Sequence, residues 1–199
     1  MIRLHPGNAA FFACLSSLAV AIAILILSRI DAVQEVNAAQ DKAVQLANLT
    51  DDELKNVVIR LERTTCYGSC PAYKLAIYGN GRVEYVGGSN VKLKGAQEAR
   101  IASVDFKRLV SEFDKANYFS TDQFTEKKCS CRFCTDMPTA ITEIQEKGST
   151  HRIEHYYGCT CAPKTLWELE QAIDKVVRTE QWTGDVSKQG PFGTTCFTR

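Results

Sequence analysis

The sequence predicts an α+β domain, an antiparallel sheet built from hairpins with two helices on one face, preceded by an N-terminal transmembrane helix. Three observations predict it. Residues Ala9 to Leu27 carry no charge. Two turn dipeptides, Asn80-Gly81 and Lys147-Gly148, each stand between runs that alternate apolar and polar residues. Two later stretches repeat apolar residues at helical spacing. Strands that come as hairpins, with helices between and after them, segregate into a sheet covered on one side.

The uncharged run comes first. In a helix rising 1.5 Å per residue its length approaches the ~30 Å of membrane hydrocarbon. A secretory signal has a shorter apolar core, so residues 1–30 are expected to form a retained signal anchor. Cleavage near Val36-Asn37-Ala38 is the alternative. Cys14 has no lipoprotein context, because most of the apolar run follows it. Arg3 lies before the run and Arg29 after it, followed by Asp31 and Glu35, which leans toward an N-terminus inside.

Residues 31–56 are polar, rich in Ala and Gln, and free of Gly and Pro, as in a helical stalk or linker. Thr50-Asp51-Asp52-Glu53 has capping-box spacing and starts a short helical turn. Val57, Ile59 and Leu61 then alternate with polar neighbours at strand period. After a loop holding Cys66 and Cys70, Tyr73, Leu75 and Ile77 alternate again. Asn80-Gly81 turns the chain into Val83 and Tyr85, with both turn residues expected at positive φ. Val91-Lys92-Leu93-Lys94 reads as the next strand.

Ser103 is placed to cap a helix whose inward face is Phe106, Leu109, Val110 and Phe113, with Asn117 as its stop. Thr139 to Gln145 and Thr150 to Tyr157 form the second hairpin. Pro163 suits the first turn of a last helix with Leu166, Leu169, Ile173 and Val176 inward. The cysteine-rich domain then spans residues 57–184, and residues 185–199 are an irregular tail.

Composition narrows the function. The 199 residues are 45% hydrophobic and 24% charged, close to ordinary globular usage, which excludes wholesale disorder. A formal net charge of +1 gives no field to hold a polyphosphate, so nucleic acid is excluded as a partner. There is no Gly-x-Ser-x-Gly elbow, no phosphate-binding Gly loop and no His-Glu-x-x-His. No catalytic residue is assigned, and an enzyme is the less favoured class.

The nine cysteines carry the chemistry. Eight lie beyond the apolar run, as Cys66/Cys70, Cys129/Cys131/Cys134, Cys159/Cys161 and Cys196. An even number of thiols points to disulfides, which persist in oxidising compartments. Cys66 and Cys70 flank a short Gly-containing loop that can close locally. Neighbours in Cys-x-Cys point the same way and rarely bridge each other. Cys159 and Cys161 therefore look to the Cys129–Cys134 segment and to Cys196. The alternative is a metal centre without disulfides. Cys131, Cys134, Cys159 and Cys161 supply two chelating thiolate pairs for tetrahedral zinc, and soft thiolates also suit cuprous copper. His151 and His155 precede the second pair at strand spacing, too far from Cys159 to share a metal unless the chain bends at Gly158. A third reading is thiol redox chemistry, since Lys127, Lys128 and Arg132 surround the middle cluster.

Arg63-Thr64-Thr65-Cys66-Tyr67-Gly68-Ser69-Cys70-Pro71-Ala72-Tyr73, followed by Asn80-Gly81 and Val83-x-Tyr85-x-Gly87, resembles an uncharacterised bacterial domain-of-unknown-function family. Asp136-Met137-Pro138-Thr139, Leu169-x-x-x-Ile173-Asp174 and Trp182 are similar to its later landmarks. The resemblance spans about residues 57–184. It implies a small extracytoplasmic α+β domain with no established activity and no catalytic residue. The Cys66/Cys70 pair fits that pattern, whereas the two later clusters look like additions.

The expected protein is a single-pass cell-membrane protein with its domain on the extracytoplasmic side. It acts as a binding or structural module stabilised by disulfides, for an envelope partner the sequence does not identify. No cofactor is expected, or zinc on the alternative reading.

Overall fold

The computed structural model describes residues 22–30, 34, 37, 49–132 and 134–184. Contacts divide the chain at Asp41/Lys42 into two compact units. In the first, residues 22–30 are helical, and Ile22, Ile24, Leu25, Ile26, Leu27 and Ile30 are all exposed. Among the described residues no helix is long and apolar enough to cross a membrane. The expected span lies mostly outside them, as do Cys14, Cys196, most of the stalk and the tail.

The second unit orders as α1 (Asp51–Leu54), β1 (Val58–Arg63), β2 (Tyr73–Tyr78), β3 (Arg82–Gly87), β4 (Gly95–Arg100), α2 (Ser103–Lys115), a 3₁₀ turn (Tyr118–Ser120), β5 (Thr139–Glu146), β6 (Ser149–Tyr156), α3 (Lys164–Val177) and α4 (Glu180–Thr183). The strands form a six-stranded sheet in the order β4-β3-β2-β1-β5-β6, with every neighbouring pair antiparallel. The fold class is therefore the α+β sheet of hairpins that periodicity predicts.

Alternation decides which face is covered. Ile59 and Leu61 of β1, Tyr73, Leu75 and Ile77 of β2, Val83 and Tyr85 of β3, and Ile144 and Ile153 of the second hairpin are buried together. They meet Phe106, Leu109, Val110 and Phe113 of α2 and Leu166, Leu169 and Ile173 of α3. Each fully buried large apolar side chain contributes roughly 1.5–3 kcal/mol. Tyr85 stacks on Trp182 with ring centroids 4.7 Å apart, which fixes α4 over β3.

Four local expectations need correction. Residues 91–94 are not a strand, because Leu93 N–H donates to the Trp182 carbonyl at 2.8 Å and Lys92 N–H to Thr183 at 3.3 Å. The fourth strand is Gly95–Arg100 instead. The cap of α2 is Ala102, without a side-chain hydrogen bond, and Ser103 is already helical. The last inward residue of α3 is Val177, not Val176. Asn80 does not have positive φ. Ile77 is the last residue of β2 in register, opposite Val83, and in the three-residue loop between Tyr78 and Arg82 the Gly81 N–H donates to the Tyr78 carbonyl at 2.8 Å. Only Gly81, at φ +82°, is left-handed there. This is a turn closed by a left-handed residue, the usual form of a three-residue hairpin loop. The second hairpin uses the tighter solution, with Lys147 and Gly148 at φ +46° and +80°.

Gly81→Val is expected to destabilise the domain by at least about 1–3 kcal/mol. A Cβ there would lie 2.5 Å from the Ile101 carbonyl oxygen, in addition to the strained φ. Urea unfolding measures the shift in midpoint, and an unchanged midpoint would refute the close approach.

Candidate functional site

The chemistry-bearing residues gather at one end of the sheet, opposite the two hairpin turns. The C-terminus of β1, the start of β2, the start of β5 and the end of β6 all reach this end. Two features are built there, a buried polar network and a set of disulfides.

The network starts from strand register. Arg63 sits opposite Tyr73 on one side and Ala140 on the other, and Ala140 sits opposite His155. These residues form one row on the helix-covered face, and the small Ala140 side chain leaves room for the long Arg63. Asp174 and Glu170 of α3 lie above the row. Arg63 Nη2 donates to Asp174 Oδ2 at 2.7 Å, and Nε donates to the same oxygen at 3.0 Å. Tyr73 donates its hydroxyl to Asp174 Oδ1 at 2.6 Å, and Thr179 to the same oxygen at 3.0 Å. Arg63 Nη1 donates to the Tyr157 hydroxyl, which donates in turn to Glu170 Oε2 at 2.6 Å. His155 Nδ1 lies 2.8 Å from Glu170 Oε1, whose side chain has no exposure. Buried charges persist only when paired and hydrogen-bonded, and here each carboxylate oxygen has at least one partner.

Burial pushes the Tyr73 hydroxyl well above the ordinary tyrosine range, with Asp174 adding to it against Arg63. Burial does the same to Tyr157, where Arg63 opposes and Glu170 adds. Below about pH 10 these groups are protonated in both folded and unfolded chains. Above it the unfolded chain releases protons that the folded chain keeps, so stability falls as pH rises. The loss approaches ~1.4 kcal/mol per pH unit for each tyrosine. The Tyr118 hydroxyl is raised by burial as well, and those of Tyr78, Tyr85 and Tyr156 are also raised. Unfolding measured between pH 9 and 11.5 is expected to show the summed slope, and Tyr73→Phe to remove one tyrosine's share of it, up to ~1.4 kcal/mol per pH unit. A slope that Tyr73→Phe leaves unchanged would place the cause elsewhere.

The cysteines lie just outside this network. Cys66 and Cys70 are joined, and Asn90 holds their loop by donating to the Cys70 carbonyl at 3.1 Å. Tyr67, at the loop's tip, is 89% exposed. Cys129 is joined to Cys159 and Cys131 to Cys161, each across 30 residues. The loop from Gln123 is laid along the edge of β6. Phe124 N–H donates to the Glu154 carbonyl at 2.9 Å, and the Phe124 carbonyl accepts from Tyr156 at 2.8 Å. Farther on, Cys134 N–H donates to Gly158 at 2.8 Å, and the Tyr156 hydroxyl to the Cys134 carbonyl at 2.8 Å. A Cβ at Gly158 would lie 2.0 Å from that Cys134 carbonyl oxygen, so only glycine lets the two cysteine segments approach.

The structure thus brings together Cys129, Cys131, Cys159 and Cys161, whose sulfurs all lie within 4.8 Å of one another. Of the thiolate set expected for zinc, Cys134 stands apart. It is disulfide-bonded, and the three bridges just given use the other described cysteines. The histidines are not at the sulfurs. His155 turns inward to Glu170, and His151 packs edge-on against Tyr118 and Phe119. Sequence reasoning missed the Arg63 network. A signal was there, since Glu170 occupies an inward position of the stripe Leu166, Leu169, Ile173, and a carboxylate in such a stripe requires a buried partner.

No curated protein matches the chain in sequence. A family model described as a domain of unknown function, DUF6438, matches residues 57–177, more than half of the chain and the whole of the sheet. The protein therefore belongs to that family of domains of unknown function.

Proposed function

We propose that this protein is a membrane-anchored extracytoplasmic module that offers a disulfide-stapled loop surface to a partner in the cell envelope. The observation that carries this reading is the disulfide-bonded state of all seven described cysteines beyond the apolar run, an arrangement that suits an oxidising compartment. The loops they staple hold little apolar core of their own, so the bridges supply rigidity that burial does not. Rigid loops on a packed scaffold are where binding surfaces are usually built. The polar groups able to do acid–base chemistry support a binding role over an enzymatic one. Arg63, Asp174, Glu170 and His155 are spent on one another inside the fold. The helical residues 22–30, with six large apolar side chains exposed, support the anchor.

The test is topological. A reporter enzyme active only outside the cytosol, fused after Arg199, is expected to be active and to sediment with membranes. An inactive reporter would refute export. A soluble mature form beginning near Ala39 would replace the anchor with a cleaved signal.

A further inference from the structure

The sulfurs of Cys129, Cys131, Cys159 and Cys161 do more than form two separate staples. They are drawn into one cluster, with Cys129 3.5 Å from Cys131, Cys131 3.7 Å from Cys159, and Cys159 3.7 Å from Cys161. A tetrahedral zinc with Zn–S bonds of ≈ 2.3 Å has S···S edges of about 3.8 Å. Three edges of that tetrahedron are therefore already close to the right length across non-bonded pairs. The two bonded edges, Cys129–Cys159 and Cys131–Cys161, would have to open, and the sixth edge, Cys129–Cys161, already lies within 4.8 Å.

We propose that these four cysteines form a single centre with two states, a pair of disulfides when oxidised and a tetrathiolate zinc site when reduced. The inference goes beyond the stapled-module reading and does not depend on where the domain resides. In the reductive step two molecules of a dithiol reductant each transfer two electrons and two protons. Both S–S bonds break, giving four thiols and two oxidised reductant disulfides. Binding one Zn²⁺ then releases the four thiol protons and leaves a centre of net charge −2. Lys127, Lys128 and Arg132, on the loop that carries Cys129 and Cys131, offset that charge. Two hydroxyls already lie beside the sulfurs. Thr160 Oγ1 is 3.8 Å from Cys131 Sγ, and Ser130 Oγ is 4.0 Å from Cys161 Sγ. Such outer donors orient and stabilise thiolate ligands. Four converging thiolates favour zinc over cuprous copper, which soft sulfur ligands also attract. Cys134 is not a member of this set, since it lies outside the four-sulfur cluster and is bonded elsewhere.

The experiment uses the full chain in detergent. It is reduced with a dithiol under anaerobic conditions, freed of reductant, and titrated with Zn²⁺ and separately with Co²⁺. The oxidised chain is expected to take up no metal. The reduced chain should take up one Zn²⁺, and its Co²⁺ form should show the visible bands of a tetrahedral tetrathiolate. Cys134→Ser, and Cys66→Ser with Cys70→Ser, should keep the full stoichiometry, whereas Cys129→Ser should lose it. Absence of metal uptake by the reduced wild-type chain would overturn the proposal without any variant. So would a Co²⁺ spectrum without tetrathiolate bands, or binding that survives Cys129→Ser and fails in Cys134→Ser. The reporter result stands apart from all of these, so failure of the centre and failure of the exported-module reading are distinguishable.

Discussion

Arg63→Ala is expected to cost about 3–5 kcal/mol, the range for removing one partner of a buried ion pair. That is a large share of the ~5–15 kcal/mol that holds an ordinary domain folded. The magnitude follows from what would be left behind. Asp174 would keep hydrogen bonds from Tyr73 and Thr179 but lose the one cation paired with it among the described residues. Tyr157 would lose its donor while still bound to Glu170, whose carboxylate is fully enclosed. Arg63→Lys should restore the charge but not the fork of donors, in which Nε also donates to the Tyr73 hydroxyl at 3.0 Å while the other nitrogens reach Asp174 and Tyr157. Its expected cost is smaller, about 1–3 kcal/mol. The exposed pairs Lys55–Asp52 and Lys164–Glu168 make the contrast, since solvent screens such pairs and their loss should scarcely register. Urea unfolding of the Arg63→Ala, Arg63→Lys and Lys164→Ala variants decides the matter. An Arg63→Ala chain as stable as the Lys164→Ala chain would mean that the network is a passive by-product of packing.

How much of this was legible depended on whether a residue's fate is set locally. The strands from Val58 to Tyr85 and the second hairpin could be read because one face of the sheet is buried and the other is not. Burial of one face imposes a two-residue period that composition alone reveals. The edge strand Gly95–Arg100 imposes no such period, because neither of its faces is fully covered, and Gly-Ala-Gln-Glu-Ala-Arg carries no alternation. Val91 and Leu93 do alternate, but the backbone of Leu93 is claimed by Trp182, and no local pattern announces a partner that distant. The polar network failed to show for the same reason, since Arg63 and Asp174 are 111 residues apart. The cysteines fell between these cases. The rule that Cys-x-Cys neighbours do not bridge each other pointed the two later clusters at one another. Which sulfur met which was set by the approach that Gly158 permits, and that is a property of the folded loops.

Replacing Cys159 and Cys161 together by Ser is expected to destabilise the domain more than replacing Cys66 and Cys70. A cross-link stabilises mainly by shrinking the unfolded ensemble, and the effect grows with the logarithm of the closed loop. The Cys66–Cys70 bridge spans a separation of 4, for which the chain-entropy relation gives about 2 kcal/mol. Each later bridge spans 30, for which it gives about 4 kcal/mol. The later two are not additive, because the first to form already holds the second pair of cysteines close together. Their joint loss should therefore cost little more than the ~4 kcal/mol of a single bridge, and loss of either one while the other remains should cost far less. This redundancy gives the test its resolving power. Cys159→Ser with Cys129→Ser removes one bridge and leaves the other, and should cost well under half of a fourfold variant in which Cys129, Cys131, Cys159 and Cys161 are all replaced by Ser. If that two-residue variant were as unstable as the fourfold one, the bridges would be acting through native packing around the sulfurs and not through the unfolded chain. If the fourfold variant were no less stable than Cys66→Ser with Cys70→Ser, the loops would be held without them, and the stapled surface would lose its physical basis.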